Sequence, residues 1–569
     1  MNTIEFKNFR NFEHLENLSI NGVTMLVGTN NAGKSTITKA FRLLGENLPK
    51  IMLGVDPDAL VEGWEKYRQI DFSKVCGNFK RALFAGAKED TIEFTTQNGM
   101  FVITIRVVKS VDANSSFADI EYVKIVDTID ECSWECNLSG NPCPSGIFTY
   151  SGRFLANLTR YKELKYRTRN LFFMEMLAFP PTKEEEAIQR AAQEKNMTVE
   201  QFCAEKQNPI TEKLNQFCNA EQQYETITDS FSIETSLVPF DVESYKKVIL
   251  DGVHTGFVNA YPESLIDSDS TYDEDTKICN EYIEYIKMCL NKALNSNTVV
   301  YIPANDATHN SYFRIDETYN TDYASTIINR FFKHYSRNHK WVTDMLIKMG
   351  IGESFNIKQV NSDFLYVTIT KNGEAFPLAD MGKGSIQLFL KILQLAILCP
   401  VPSAHDWFWD SYPSEEANEL DAFRKDFKRG LERYEMIADK KFDNTLCKKL
   451  VIIEEPEQNL HPALQSKLAD LFLEASKLGV NVLVETHSEY LIRRSQVLVA
   501  EAKYKDEHEL AQKCPFKVYY LPEAGAGKPY DMEFMPTGGF KNSFGEGFFD
   551  EAGKLDMIVL RNESSLKRR

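Results

Sequence analysis

A glycine-rich turn near the amino terminus limits what this chain can fold into. It follows the apolar run 23–27 and precedes the amphipathic stretch 37–44, so a buried strand leads through a turn into a helix. In this context the pattern GxxxxGK[ST] forms a phosphate-binding loop, because glycines let successive N–H groups turn inward and the helix start adds partial positive charge. The sequence therefore predicts a nucleoside triphosphate site. Its predicted binding residues are Gly28, Asn30, Asn31, Gly33, Lys34, Ser35 and Thr36.

Two side chains of this turn have separate predicted roles. The Lys34 ammonium is expected to reach the β- and γ-phosphates, and the Ser35 hydroxyl to bind Mg²⁺. The predicted ligands are therefore ATP and Mg²⁺.

Two later apolar runs end in polar residues that suit the same chemistry. The run 450–453 leads into Glu454 and Glu455, a Walker B pattern with glutamate where aspartate is commoner. We expect Glu454 to support Mg²⁺ and Glu455 to polarise the attacking water. The run 480–484 leads towards His487. A lone histidine is more often structural, but its place after a Walker B strand predicts contact with the γ-phosphate and the water.

A second glycine turn precedes the apolar helix predicted over 388–398. Paired glycines, a small hydroxyl and a helix start again make an anion site. Since the chain already has its own phosphate loop, the economical interpretation is that this turn caps the γ-phosphate held by another protomer. Its predicted contact residues are Gly382, Gly384, Ser385 and Gln387.

Composition excludes some classes of protein. The 569-residue chain carries a net charge of −17, which argues against a uniformly basic nucleic-acid binder. The sequence has neither a long apolar window nor an evident signal peptide, and its 11 cysteines are irregularly spaced. These features predict no membrane span and a reduced, cytoplasmic setting.

One local segment departs from this acidic balance. Residues 150–172 interleave aromatic rings with lysines and arginines on a predicted helix. The segment is the best local candidate for binding DNA or RNA backbone, but the simpler interpretation is an amphipathic helix whose rings pack and whose arginines meet the chain's surplus carboxylates.

Hydrophobic patterning divides the chain. The runs 91–95, 101–108 and 120–125 alternate strictly, which predicts antiparallel strands. Strands are also predicted at 2–9, 22–28 and 298–302, and helices across 322–349. The predicted parts are 1–149 with the phosphate loop and a β-subdomain, 150–297 as a helical insertion or arm, 298–400 with the second glycine turn, 401–448 as a helical insertion, 449–500 with Glu455 and His487, and 501–569 as a carboxyl-terminal extension.

Together these motifs resemble an ABC-type ATPase of the SMC/RecF-like kind, in the AAA15/AAA21 group that includes the overcoming-lysogenization-defect (OLD) ATPases. The resemblance is carried by residues 4–10, 28–36, 381–387, 453–462 and 485–492. It implies an α/β ATPase head, in which a mixed sheet with a phosphate-loop core adjoins an antiparallel β-subdomain and carries helical insertions. It also implies a head-to-tail dimer around nucleotide, with Ser385 acting in trans and His487 as the switch histidine. The second turn departs from LSGGQ, and Gln69 is only a candidate for the Q-loop glutamine.

The resemblance further suggests a role. No TOPRIM or HNH nuclease pattern is evident, so we expect an ATPase without intrinsic nuclease activity that controls a separate effector, such as an HNH nuclease. The nearest analogy is the ATPase subunit of Septu-type anti-phage systems. A RecF-like repair ATPase that binds DNA directly is the alternative.

Overall fold

The computed structural model describes most of the motifs named above but not the whole chain. It describes residues 3–53, 69–110, 116–138, 146–160, 230–235, 299–304, 310–315, 323–334, 338–398, 449–523, 527–545 and 554–560, together with six isolated residues. Most of the predicted arm 150–297 and all of the insertion 401–448 lie outside the described residues.

A mainly parallel sheet forms the centre of the fold. Its strands are β3 (Val23–Gly28), β11 (Val299–Ile302), β16 (Lys449–Glu454), β17 (Val480–Glu485), β18 (Phe516–Leu521) and β19 (Tyr530–Asp531). Among the described residues their order is β11-β16-β17-β3-β18-β19, and only the β18–β19 pair is antiparallel. Parallel strands are covered on both faces and have continuous apolar sequences, as β3 and β16 do.

This sheet separates two apolar cores. Leu450, Ile452 and Leu483 point into one core, whereas Val451 and Ile453 point into the other. The helix α1 (Lys34–Leu53) covers the first face. The second face is covered by α5 (Lys383–Leu398), α6 (Pro462–Lys477) and α7 (Glu489–Glu501), with α3 (Tyr323–His334), α4 (His339–Met349) and α8 (Glu507–Lys513) packed further out.

An antiparallel sheet packs on the α1 side, as the alternating runs predict. Its order is β10-β9-β8-β7-β6-β5-β1-β2, with β4 paired to β7, and every pairing in it is antiparallel. Alternate residues are buried along β5 and β6, so one face belongs to the core. The strands are β1 (Thr3–Phe9), β2 (Phe12–Ser19), β4 (Gln69–Asp71), β5 (Thr91–Asn98), β6 (Phe101–Lys109), β7 (Phe117–Asp127), β8 (Cys132–Asn137), β9 (Gly146–Ser151) and β10 (Ser230–Thr235), with the short helix α2 (Phe79–Ala82) after β4.

A third, small antiparallel sheet lies beside the helices of the second core. Its strand β14 (Phe364–Lys371) pairs with β12 (Tyr312–Arg314), β13 (Ser354–Gln359) and β15 (Glu374–Pro377). A single 3₁₀ turn, Leu378–Asp380, follows β15 and leads to the start of α5, where the second glycine turn lies. The predicted α/β class, with a mixed core sheet and an antiparallel β-subdomain, is confirmed.

Candidate nucleotide site

The phosphate-loop turn has a backbone that only glycine accepts at two points. Gly28 has φ +144° and Gly33 has φ +97°. A Cβ on Gly28 would lie 2.2 Å from the Leu521 carbonyl oxygen, and one on Gly33 would lie 2.6 Å from the Phe12 ring. Both close approaches and both angles therefore require glycine. The turn between β3 and α1 therefore has the glycine-dependent backbone that anion-binding turns use.

Lys34 is the first residue of α1, and its side chain folds back over the turn. Its Nζ donates to the carbonyl oxygens of Gly28 and Thr29, both at 2.9 Å, and the residue is 4% exposed. Burial lowers the pKa of this ammonium, while the carboxylates of Glu485, Glu455 and Glu457 oppose the shift. A buried cation is thus held among acidic groups at the point where phosphates would arrive.

The remaining predicted residues of the turn surround this cation. Asn30 and Asn31 are exposed, with Asn31 in the left-handed region at φ +63°. Ser35 is half-buried and Thr36 is buried in the first turn of α1.

The carboxyl ends of parallel strands bring distant acidic residues to the same edge. Glu454 ends β16 and lies opposite Glu485, which ends β17 and is itself paired in register with Leu26 of β3. Burial, followed by the charge of Glu454, raises the pKa of Glu485 to about 7. The predicted metal ligand Glu454 therefore has an acidic neighbour to which the sequence patterns gave no role.

Tyr301 on β11 fixes the orientation of Glu454 from its other side. Burial and a hydrogen bond from the Tyr301 hydroxyl to Glu454 raise the pKa of that hydroxyl. The guanidinium of Arg42 lies over the Tyr301 ring at 3.6 Å from its centroid. Periodicity marks Tyr301 only as a strand residue, so no local sequence signal could have found this contact.

Glu455 begins the loop after β16 in a strained conformation. Its φ is +40°, which is uncommon for a residue with a side chain, and its N–H donates to the Glu485 carbonyl oxygen at 2.8 Å. The Gln458 amide donates to the Glu455 carboxylate. This geometry turns Glu455 away from the strand direction and holds it at the sheet edge.

His487 lies in the corresponding loop after β17. Its backbone N–H donates to Glu457 Oε1 at 2.7 Å. Partial burial and then the Lys34 charge lower the pKa of the imidazole, and Glu455 opposes this. The charges of Lys34 and Glu455 thus both act on the His487 imidazole.

Three buried oxygens in this region test whether a nucleotide with Mg²⁺ fits. Thr29 Oγ1, Glu457 Oε2 and Glu485 Oε2 have no hydrogen-bond partner among the described residues. Buried acceptors without partners are costly, so they favour a ligand that brings water or hydroxyl donors. The described residues contain no cluster of three or more metal-ligating side chains. Mg²⁺ commonly binds one or two carboxylates together with substrate phosphates, so Glu454 and the Ser35 hydroxyl are enough protein ligands for it. The residues present fit ATP with Mg²⁺.

The second glycine turn lies at the start of α5. Gly382 and Lys383 are exposed, whereas Gly384 and Ser385 are half-buried. A Cβ on Gly384 would lie 2.5 Å from the Asn459 carbonyl oxygen, so glycine allows α5 to contact the loop that follows Glu455.

Gln387 differs from its neighbours in this turn. It is 3% exposed, and its Oε1 accepts from Asn459 Nδ2 at 3.2 Å. In this structure Gln387 supports the loop after Glu455, and its assignment to nucleotide stays a prediction.

Two other predicted features lie away from this edge. Gln69 donates to the Asp119 carboxylate at 2.7 Å within the antiparallel sheet. In the described part of the basic segment, Tyr150 and Phe154 are buried and Arg153 pairs with Glu131 at 2.9 Å. That part fits a packed amphipathic helix, while residues 161–172 lie outside the described residues.

Fold and motifs define the class of protein as a phosphate-loop ATPase domain. The family model described as AAA_15, an AAA ATPase domain, matches residues 1–399 and 427–492, and the chain belongs to this family. Membership supports nucleotide binding and ATPase activity. A search of curated proteins found no match. Within the part of the chain that the structure describes, no helix is both long enough and apolar enough to cross a membrane.

Solved structures show a distant likeness to SMC heads. The Smc head domain with an extended coiled coil, bound to the C-terminal domain of ScpA and derived from Pyrococcus furiosus, is 11% identical with a TM-score of 0.29, covering 94% of this chain and 96% of that chain. The SMC head domain from Thermotoga maritima is 10% identical with a TM-score of 0.28, covering 94% of this chain and 98% of that chain. Likeness at this level does not define the fold, which rests on the strand order described above.

Proposed function

We propose that this chain binds ATP with Mg²⁺ at the edge formed by β3, β16 and β17, and hydrolyses it there. One observation supports this most: the buried Lys34 ammonium lies within the electrostatic reach of Glu455, Glu457 and Glu485. In this structure the ammonium is held by the Gly28 and Thr29 carbonyl oxygens, which phosphate oxygens can replace. Its charge is then placed for an anionic ligand.

The residues of the site then have separate roles in hydrolysis. Lys34 exchanges the carbonyl oxygens of Gly28 and Thr29 for phosphate oxygens. Ser35 and Glu454 would hold Mg²⁺, which would neutralise charge on the phosphates. Glu455 accepts a proton from the attacking water, and His487 donates to the γ-phosphate or that water.

The matched test of this site uses two lysines. Lys34→Ala should abolish ATP binding, because it removes the charge on the β- and γ-phosphates. Lys88→Ala, at an exposed turn of the antiparallel sheet, should bind ATP as the wild type does. Binding is measured by the fluorescence of a labelled ATP analogue. Equal affinities in both variants would contradict the site.

We further propose that the Gly382–Ser385 turn completes the site of a second copy of this chain. The exposure of Gly382 and Lys383 at a helix start agrees with a contact made in trans. Mixing Lys34→Ala with Ser385→Arg chains should then restore about one competent site per mixed dimer. A monomer whose specific activity is independent of its concentration would contradict a shared site.

The biological role follows from the family resemblance and is a proposal. We propose a sensor ATPase that controls a separate effector nuclease in anti-phage defence. Toxicity or phage protection should appear only when the neighbouring effector gene is co-expressed, and should vanish with Lys34→Ala. The purified protein alone should not cut DNA or RNA.

The second candidate is a RecF-like repair ATPase that binds DNA itself. The basic residues between 150 and 172 favour it, although Arg153 is ion-paired. Reversing Arg160, Lys165, Arg167 and Arg169 to glutamate should then weaken DNA binding and flatten its log–log salt slope by about 0.9 per lost phosphate contact. Sensitivity to DNA damage with unchanged phage susceptibility in a deletion strain would favour repair over defence.

A further inference from the structure

The loop after β16 reaches across to the loop after β17 through one side chain. Glu457 Oε1 accepts the backbone N–H of His487 at 2.7 Å. The Thr486 hydroxyl also hydrogen-bonds to this carboxylate. Glu457 thus connects the loop that contains Glu455 with Thr486 and His487.

We propose that Glu457 is a positioning residue, which sets the backbone of His487 and so places the imidazole for hydrolysis. This proposal rests on the proposed ATPase function and extends it to a residue within 453–462 to which the sequence patterns assign no role. Glu457 contacts neither the phosphate loop nor α5 through a described hydrogen bond. Its charge acts on Lys34 without direct contact, whereas its hydrogen bonds go to Thr486 and His487, so its positioning effect passes through His487.

The energetic cost of Glu457 indicates that its acceptor is needed. Burial raises the pKa of this carboxyl, and its Oε2 has no hydrogen-bond partner among the described residues. A buried carboxylate with one unpaired oxygen is less favourable than an apolar side chain of similar size. A residue that lowers the stability of the fold at a candidate site is expected to serve the site.

The backbone around this contact also explains why a side chain is required there. His487 lies two residues beyond the end of β17, and the strand pairing described for β17 ends at Glu485. Thr486 N–H is the last group of this segment to donate into the sheet, to the Leu26 carbonyl oxygen at 3.2 Å. From His487 onward the chain is held by Glu457 and by Ser488, which caps α7, donates its N–H to Thr486 Oγ1 at 3.0 Å and donates its hydroxyl to Gln465 Oε1 at 2.7 Å.

Two near-isosteric variants separate the acceptor from the charge. Glu457→Gln keeps an oxygen that accepts the His487 N–H, whereas Glu457→Met fills the same volume without an acceptor. We expect kcat to stay within about threefold in the glutamine variant and to fall at least about 10-fold in the methionine variant, since small misplacements of catalytic groups have effects of this size. The KM for ATP should be unchanged in both. Glu489→Gln, which alters a half-exposed carboxylate on α7 paired with Arg493, is the matched control.

A second readout does not depend on turnover. The methionine variant should bind ADP with aluminium fluoride more weakly by the same factor as its loss in kcat, but bind ADP alone as the wild type does. His487→Ala should remove the difference between the methionine variant and the wild type, because both changes act through the same imidazole.

Several outcomes would overturn the proposal. Wild-type turnover in Glu457→Met would show that His487 does not need this contact. Equal losses in the glutamine and methionine variants would show that charge, not position, matters. A methionine effect that persists in the His487→Ala background would place Glu457 on another route. These results are distinguishable from failure of the ATPase proposal itself, in which the wild type would hydrolyse no more ATP than Lys34→Ala.

Discussion

The parallel and the antiparallel sheet of this chain differ in what their strand ends carry. In the parallel sheet, β3, β16 and β17 all end at one edge, and each ends in a residue of the candidate site. In the antiparallel sheet successive strands end at opposite edges, so no such convergence arises. Its charged residues instead pair across strands, as Glu93 does with Lys7 and Arg106.

The difference separates the residues that stabilise the fold from those that form the candidate site. Buried aromatic rings concentrate in the antiparallel sheet, where Phe94 packs against Phe9 at 5.1 Å between ring centroids. Unpaired buried oxygens and carboxylates with raised pKa values concentrate at the parallel edge, as Glu485 illustrates. Substitutions in the two sheets should therefore affect different measurements.

The largest expected effect is on stability, from Phe94→Ala. Phe94 is 1% exposed, so its removal should lower the free energy of unfolding by about 3–5 kcal/mol. Urea denaturation measures the loss, with Thr95→Ala on the same strand as control. ATP turnover per folded molecule should be unchanged well below the unfolding transition. A matching loss of turnover would mean that the two sheets are not separable in this way.

Glu455→Gln should have the opposite effect, a loss of ATP turnover with little change in stability. The variant should bind ATP but hydrolyse it at least ~100-fold more slowly, because general-base catalysis commonly contributes that much. Its stability should change little, since the Gln458 amide can still donate to the remaining carbonyl oxygen. Phosphate release under saturating ATP measures the rate, with Glu93→Gln in the other sheet as control. Wild-type turnover would show that another group activates the water.

Much of this division was predictable from the sequence, because it depends on local patterns. The alternating run 91–95 lies within β5, and the apolar runs 450–453 and 480–484 lie within β16 and β17. Continuous apolar runs are typical of strands buried on both faces, and strict alternation of strands buried on one. The motif residues at the ends of the apolar runs could then be assigned to one edge.

What the sequence did not predict depends on contacts between distant segments. The sequence pattern does not indicate the strand β2, because its sequence FEHLENLS is rich in polar residues and only Leu15 and Leu18 are buried along it. The contacts of Glu457 with His487 and of Tyr301 with Glu454 require the register of β11, β16 and β17, which no single segment encodes. The glycine pattern groups Gln387 with the second glycine turn, whereas α5 already begins at Lys383 and buries the Gln387 side chain.

A smaller effect is expected in the pH dependence of the free energy of unfolding, which should involve the parallel sheet and not the antiparallel one. The pKa of Glu485 is raised from 4.5 to about 7 in the folded chain. Between these values the unfolded chain has released a proton that the folded chain still holds, so stability falls as pH rises through this window and is level above it. In nucleotide-free protein with EDTA, Glu485 should account for a loss of about 1–3 kcal/mol between pH 5 and pH 8.

Urea denaturation at the two pH values measures this slope. Glu485→Gln should flatten it, because the amide does not titrate. Glu93→Gln should not flatten it, since the pKa of Glu93 is lowered by hydrogen bonds from Lys7 and Arg106 despite its partial burial. Parallel stability curves for the wild type and Glu485→Gln would contradict the buried, acid-crowded environment assigned to Glu485.

The smallest expected effect comes from the edge of the antiparallel sheet that leads into the basic segment. Arg153 pairs with Glu131 at 2.9 Å, but the two side chains are 59% and 49% exposed. Water and salt screen such a pair, so Arg153→Ala should change the free energy of unfolding by less than about 1 kcal/mol and leave ATP turnover unchanged. Phe154→Ala, one residue along and 2% exposed, should cost several times more, because it removes a ring packed on Phe148 at 5.6 Å between centroids. If Arg153→Ala proved the more destabilising of the two, the start of the basic segment would be held by charge, and its interpretation as a packed amphipathic helix would be wrong.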